Sequence, residues 1–317
     1  MRTVLGVLGL LGSLGVGLMG CGGGRGGSGV PNDPWIVGVA LRDGAEPRQA
    51  QMKADLELAA SGEPRVKLLF RDAAGDAAAQ DAQVREFIQQ GVALIIVNPV
   101  DAQQAAAPIA KAMAERIPVI ALDSDVEGEP CTCFIGSDNE KIGEGAGRVL
   151  RELLVLRGKV VELKGPATSP LAPQRHAGFL RGLRGSEIEV IFDPECSGRE
   201  EDAQREMAAA LALFPQIDGV FAYNDVMAHG AYLAAKEEGK GRHRSIRGFV
   251  GIGALPEQGL KYLREGSLTA TVEYPTGGAK AIETAVRILR GDVVSKRLSP
   301  DIHIFTEENR AKGGDLL

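Results

Sequence analysis

Four residues have the types and positions to hold a polar molecule. Asp123 follows Val119-Ile120-Ala121-Leu122, Asn224 and Asp225 follow Tyr223, and Arg175 opens a helical stretch in the second half of the chain. Loops that leave the ends of buried parallel strands are where open α/β sheets collect ligands. Taken singly, each Asp or Asn is a helix cap, because its oxygen accepts from the orphan N–H groups of a first turn. Taken jointly, across a gap between two halves of the molecule, the four read as a binding site. Patterns for bond-making chemistry are missing. His176, His229, His243 and His303 lie far apart with no zinc-ligand spacing, so no metal is expected. There is no G-x-S-x-G elbow, P-loop lysine or nucleophile beside a base, so no enzyme activity and no cofactor are expected. Gly251-Ile252-Gly253 begins like a dinucleotide fingerprint, but Pro256 takes the third glycine position. It reads as a tight turn after a buried strand. Gly143, Gly145 and Gly147 read as close helix packing.

The elements that must position these residues follow from the pattern of apolar runs. Trp35 to Leu41, Val66 to Phe70, Ala93 to Val97 and Val119 to Leu122 are short and near-continuously apolar, as buried parallel strands are. Between them, Arg48 to Ala60, Ala77 to Gln90 and Ala102 to Glu115 carry apolar residues at helical spacing. The alternation returns in the second half, with strands at Val160 to Leu163, Glu189 to Phe192, Gly219 to Tyr223 and Phe249 to Ile252. Gly91-Val92 leading to Asn98-Pro99-Val100 is echoed by Gly219-Val220 leading to Asn224-Asp225-Val226. The fold class is therefore α/β, with two doubly wound parallel-sheet lobes joined by a multi-strand hinge. The strand from Thr132 to Ile135 closes the first lobe, Gly136 to Asn139 cross into the second, and Thr269 to Val272 cross back. The lobes comprise residues 35–138 plus 274–298, and residues 139–273 plus 299–310. A length of 317 residues suits such a pair of domains.

The net charge of -6 offers no broad positive surface for phosphates, which argues against a nucleic-acid partner. Residues 1–21 read as an export signal: Arg2, then an uncharged run from Val4 to Met19 that is too short and glycine-rich to span a bilayer. Leu18-Met19-Gly20-Cys21 resembles the lipobox of bacterial lipoproteins, which implies lipidation at Cys21 and anchorage to a membrane. Residues 22–34, mostly glycine, form a tether. Three further cysteines remain. Cys131 and Cys133 alternate with Thr132 and should share one strand face, a spacing poorly suited to a disulfide. A bridge from Cys196 to either stays open, with buried free thiols as the default.

From Trp35 to the tail the chain resembles the periplasmic sugar-binding family, the ribose, galactose and galactofuranose type of ABC-importer binding protein. The likeness is carried by Phe87-Ile88-Gln89-Gln90-Gly91-Val92 leading to Ile95-Ile96-Val97-Asn98-Pro99-Val100, and by Ile117-Pro118-Val119-Ile120-Ala121-Leu122-Asp123. Val161-Glu162-Leu163-Lys164-Gly165, Arg175-His176-Ala177-Gly178-Phe179, Ala222-Tyr223-Asn224-Asp225 and Thr271-Val272-Glu273-Tyr274-Pro275 continue it in order. The resemblance implies that Asp123 accepts from two ligand hydroxyls, that Arg175 donates to ligand oxygens, and that Asn224, Asp225 and Glu273 complete the site. Arg48, Gln49, Asp43 and Ser124 stand at its remaining positions. This chain departs from the family where relatives place an aromatic and then an arginine after the first strand. It has Glu46-Pro47-Arg48-Gln49, so the stacking surface is missing and the cation displaced. Ser124 replaces an arginine, and Gly253 an aspartate.

The function so implied is that of a monomeric, exported solute-binding lipoprotein of an ABC importer, facing the periplasm or cell exterior. It would close on a small sugar or polyol and hand it to a membrane permease with its ATPase. A sensory module serving a chemoreceptor or sensor kinase is the alternative. A lyase or hydrolase built on the same fold is a third reading. Sugar-responsive repressors share the fold, but here a signal and tether stand where their DNA-binding module would be.

Overall fold

Every buried apolar run named above is a strand in the computed structural model, which describes residues 33–126, 128, 130–237 and 241–317. The export signal, Cys21 and the tether up to residue 32 lie outside the described residues. The first lobe runs β1 (Trp35–Leu41), α1 (Pro47–Ser61), β2 (Val66–Asp72), α2 (Ala77–Gln90), β3 (Leu94–Val97), α3 (Ala106–Ala114), β4 (Val119–Leu122) and β5 (Cys133–Ile135). The second runs α4 (Asn139–Leu153), β6 (Arg157–Leu163), α5 (Leu171–Gly182), β7 (Glu187–Phe192), α6 (Glu200–Leu213), β8 (Gly219–Ala222), α7 (Asp225–Glu237), β9 (Gly248–Gly253), α8 (Gly259–Arg264) and β10 (Ala270–Glu273). The chain then returns through α9 (Gly278–Leu289) and β11 (Arg297–Leu298), and ends in the second lobe with β12 (His303–Thr306) and β13 (Asp315–Leu316).

The six-stranded first sheet has the order β11-β5-β4-β3-β1-β2, and the seven-stranded second sheet the order β13-β12-β10-β9-β8-β6-β7. All pairings are parallel except β10–β12 and β12–β13. Both sheets are covered on two faces, which is why their strands read as apolar runs rather than alternations. In the first, Val39, Ile96 and Ile120 pack with Met52 and Leu56 of α1 and Ala281 of α9, while Ile95, Val97 and Val119 face Val84, Phe87 and Ile109 of α2 and α3. In the second, Val161 and Val220 meet Met207 and Met227 of α6 and α7, and Val160, Phe221 and Val250 meet Ile142, Leu150 and Phe179 of α4 and α5.

The contact between α4 and α5 depends on glycine. A Cβ on Gly143 would lie 2.1 Å from the Arg175 carbonyl oxygen, and one on Gly178 would lie 2.0 Å from that of Glu140. The two backbones touch, and α5, which carries Arg175, is fixed in height and rotation by that contact. Gly145, by contrast, faces the side chains of Leu317 and Val272.

Several boundaries differ from the sequence reading. The stretch from Ala102 enters α3 only at Ala106, because the Asp101 side chain accepts from Gln104 N at 2.7 Å and closes a turn that competes with the helix. β5 does not close the first sheet; β11 adds a further parallel edge strand. Residues 270–272 are not a crossing segment but ladder positions of β10, paired with β9 on one side and β12 on the other. The return crossing is Tyr274 to Gly277. Cys131 and Cys133 pack in clusters on opposite faces of the first sheet rather than on one. The ladder begins only at Cys133, and the bend before it turns Cys131 away. Cys131, Cys133 and Cys196 are free and buried.

Three segments cross between the sheets and are tied together. Ser137 Oγ donates to Pro275 O at 3.3 Å, Gly136 N to Leu298 O at 3.1 Å, and Ser299 Oγ to Gly136 O at 3.0 Å.

Candidate functional site

Strand order reverses between β1 and β3 in the first sheet and between β6 and β8 in the second. At such switch points neighbouring loops leave in opposite directions and open a crevice. Arg48 after β1, Asp123 after β4 and Arg175 after β6 converge on a single side chain, that of Tyr274, which follows β10.

On the first-lobe side, Asp123 follows β4 in the left-handed region with φ +66°, a conformation Asp tolerates better than most residues. Its Oδ1 accepts from Arg48 Nη2 at 2.9 Å and from the Tyr274 hydroxyl at 2.7 Å. Its Oδ2 accepts from none of the described residues. Arg48 stands in the first turn of α1, just after Pro47, which presets the helical φ. The guanidinium also donates to the carbonyls of Tyr274 and Pro275 and lies 3.5 Å from the centroid of the Tyr274 ring. The cation is therefore not displaced from the cleft. α1 delivers it there, and the rings nearest the site, Tyr274 and Tyr223, are taken up by the guanidinium groups of Arg48 and Arg175.

On the second-lobe side, Arg175 is 4% exposed. Its Nε donates to Asn139 Oδ1 at 2.9 Å and its Nη1 to Tyr223 O at 2.8 Å. The guanidinium carbon lies 4.5 Å from the Tyr223 ring centroid and 4.7 Å from that of Tyr274. Burial pulls the Arg175 pKa below its ordinary value. Tyr274 is pushed up to about 12, first by burial and then by the negative charge of Asp123. The Asp123 carboxylate and the Arg175 guanidinium, one from each lobe, thus meet at opposite parts of one phenol.

The other expected site residues fall elsewhere. Asn224 Oδ1 accepts from Met227 N at 2.9 Å, capping α7, while its Nδ2 donates to Gly198 O at 2.9 Å. Asp225 is 2% exposed and lies beneath the crevice. It accepts from Thr271 Oγ1 at 2.6 Å and Ala254 N at 2.7 Å, and burial pushes it up to about 6. A Cβ at Gly253 would come 2.7 Å from its Oδ2, so the turn after β9 is built around this carboxylate. Glu273 does not face Tyr274's partners. It accepts from His303 N at 3.2 Å and His303 Nδ1 at 2.7 Å, and lines a separate hollow with Asp55, Thr276, Lys280 and Asp301. Consecutive strand residues point to opposite faces, so Tyr274, one position on, takes the cleft place read for Glu273. Gln49 is fully buried beside Met52 and Leu56 on the core face of α1, with neither amide atom hydrogen-bonded. Neighbouring helix positions diverge by about 100°, so Arg48 and Gln49 cannot both face the cleft. Asp43 stabilises its own loop by accepting from Ala45 N at 3.0 Å. Ser124, half-buried beside Asp123, places its N–H on Leu122 O at 2.7 Å.

Sequence reasoning missed Tyr274, Tyr223, Asn139 and Ser169, whose Oγ lies 2.9 Å from the Tyr223 hydroxyl. Tyr223 and Tyr274 each adjoin residues that were singled out, and their aromatic character in a chain with few aromatics was the available signal. Behind Arg175, His176 Nδ1 lies 2.9 Å from both oxygens of Glu162. Glu162 is 1% exposed, and burial pushes it up to about 7. Among the described residues no group of three His, Cys, Asp or Glu side chains could hold a metal ion.

A profile of the periplasmic binding protein domain matches residues 37–292. The ribose import binding protein of Escherichia coli (strain K12) is 29% identical over 279 residues, covering 87% of this chain and 88% of that protein. Among solved structures, the fructose-binding periplasmic domain of a hybrid two-component system is 31% identical with a TM-score of 0.70, covering 88% of this chain and 93% of that one. An ABC transporter solute-binding protein from Bacillus halodurans C-125 with bound myo-inositol is 27% identical with a TM-score of 0.71, covering 89% of this chain and 98% of that one.

Proposed function

The chain belongs to the periplasmic binding protein domain family, and from that premise we propose that it binds a small sugar or polyol between its lobes for uptake by an ABC importer. The observation that carries this reading is the meeting of Asp123 and Arg175, from different lobes, on Tyr274. A carboxylate oxygen without a partner accepts a hydroxyl, and a guanidinium donates to ring or hydroxyl oxygens. A ligand held by both lobes binds the closed form better than the open one. It therefore drives rotation about the three crossing segments by that difference in affinity. The closed surface is what a permease would recognise. Lipidation at Cys21, with 22–34 as tether, would keep the monomer beside its permease in the periplasm or at the cell exterior. No bond is made or broken in this cycle.

Calorimetric titration of the purified chain with ribose, xylitol, fructose and myo-inositol, paired with small-angle scattering, tests the proposal. Saturable binding that reduces the radius of gyration is expected. Binding without compaction, or none to any polyhydroxylated ligand, refutes it. The likeness to a domain of a two-component system favours sensing as the second reading. Copurification with a permease rather than with a receptor or kinase separates the two.

A further inference from the structure

Tyr274 holds a place that a ligand needs. Its hydroxyl donates to Asp123 Oδ1 at 2.7 Å, and Arg48 Nη2 donates to the same oxygen at 2.9 Å, so both lone pairs of Oδ1 are spent and only Oδ2 is open. The guanidinium carbons of Arg48 and Arg175 lie over the phenol ring, 3.5 Å and 4.7 Å from its centroid. The three groups that would grip a polyol are thus engaged by one side chain of the protein itself, and little of them faces solvent. The Asp123 and Arg48 side chains are 11% and 17% exposed, and Arg175 is 4% exposed. The arrangement satisfies the phenol but not the cation, because Arg48 Nε is sealed from solvent with no acceptor, which costs stability.

Tyr274 is also placed to move with the hinge. The ladder with β9 stops one residue earlier, at Glu273, and Tyr274 stands in the return crossing that any rotation of the lobes must turn. Beyond the ladder its N–H reaches Gly253 O at 3.3 Å, a long hydrogen bond. Arg48 of α1 donates to the carbonyls of Tyr274 and Pro275, and Ser137 Oγ of the first crossing donates to Pro275 O, so the ring is tied to the first lobe through its own backbone.

We infer that Tyr274 is a built-in competitor of the ligand: its phenol stands where a ligand hydroxyl would stand on Asp123, and a ligand enters by displacing it as the crossing segment turns. This rests on the binding reading above and adds the step that regulates it. A polyol with neighbouring hydroxyls then spans both oxygens of Asp123 and offers acceptors to the guanidinium groups, Arg48 Nε included. The affinity measured is the intrinsic one reduced by the fraction of molecules in which the ring has left.

The test is calorimetric titration of the wild type and Tyr274→Phe with ribose, xylitol, fructose and myo-inositol. Phenylalanine keeps a ring over the guanidinium groups but drops the hydrogen bond that a ligand must break. The variant should bind about tenfold tighter, the worth of one hydrogen bond to a charged acceptor, while its ligand-free melting temperature falls. A hydroxyl that contacts the ligand gives weaker binding instead, and a purely structural one gives equal binding. Either result overturns the competition and leaves the binding reading standing. Should Tyr274→Phe fail to fold, stopped-flow intrinsic fluorescence of the wild type decides. The observed rate should level off with rising ligand, because departure of the ring comes first, and a rate that climbs linearly to the mixing limit overturns the proposal. If neither protein binds any of the four compounds, the binding reading falls with it.

Discussion

Replacing Asp123 tests the site and the backbone at once, because the residue accepts two hydrogen bonds while holding a left-handed conformation. Deleting the carboxylate leaves Arg48 without its counter-charge and the Tyr274 hydroxyl without its acceptor. Breaking a fully buried pair costs about 3–5 kcal/mol. Here the partners are 17% and 11% exposed, and Arg48 keeps the carbonyls of Tyr274 and Pro275, so about 2–3 kcal/mol is the working figure. Alanine adds a backbone cost of about 1 kcal/mol at φ +66°, which glycine escapes. Asp123→Gly should therefore be more stable than Asp123→Ala by about 1 kcal/mol, although glycine is ordinarily the worse replacement. The assay is urea unfolding followed by fluorescence. Trp35, the only tryptophan, lies in β1 of the same lobe and reports on it directly. Both variants should bind ligand about 10- to 100-fold more weakly, the worth of a hydrogen bond to a charged group. Equal midpoints for Gly and Ala would refute the strain argument. Unchanged affinity would refute the role given to the carboxylate.

Two further perturbations follow. Burial raises Glu162 from 4.5 to about 7, so the folded state holds this proton more tightly than the unfolded chain does. Its contribution, on the order of 3 kcal/mol, is complete below about pH 4.5 and is lost as the pH rises through 7. Glu162→Gln should accordingly gain on the wild type in thermal stability between pH 5 and pH 8, and a melting temperature of the variant minus that of the wild type that stays level or falls over that range would contradict it. Gly143→Ala drives a methyl into the Arg175 carbonyl and should cost about 1–3 kcal/mol while weakening ligand binding, because α5 must move. Gly145→Ala, which meets only side chains, serves as the control, and equal melting temperatures for the two would remove the basis for the helix contact.

Parts of this architecture were legible because they are local. Val119 to Leu122 is a strand on its apolar run alone, and Gly143 and Gly147 announced a close helix contact before its partner was known. Asp123 could be singled out as a residue that follows a strand, whereas Arg175, read at the start of a helix, lies in the second turn of α5, which begins at Leu171. The free state of Cys131 and Cys133 was the default reading, although the face each occupies was not.

What the chain alone determined is therefore the alternation of strand and helix, the two-lobe class and the short set of polar residues at strand ends. The tertiary structure decided which of those residues meet. Arg48 reaches Asp123 across 75 positions, and Tyr274 reaches it across 151. Whether Glu273 or Tyr274 enters the cleft turns on a single position at the end of β10, where the ladder with β9 stops at Glu273. Apolar periodicity records only whether a residue is buried. The pairing of charges depends on distances between loops that are set by sheet order and hinge geometry, and those arise only once both lobes have folded.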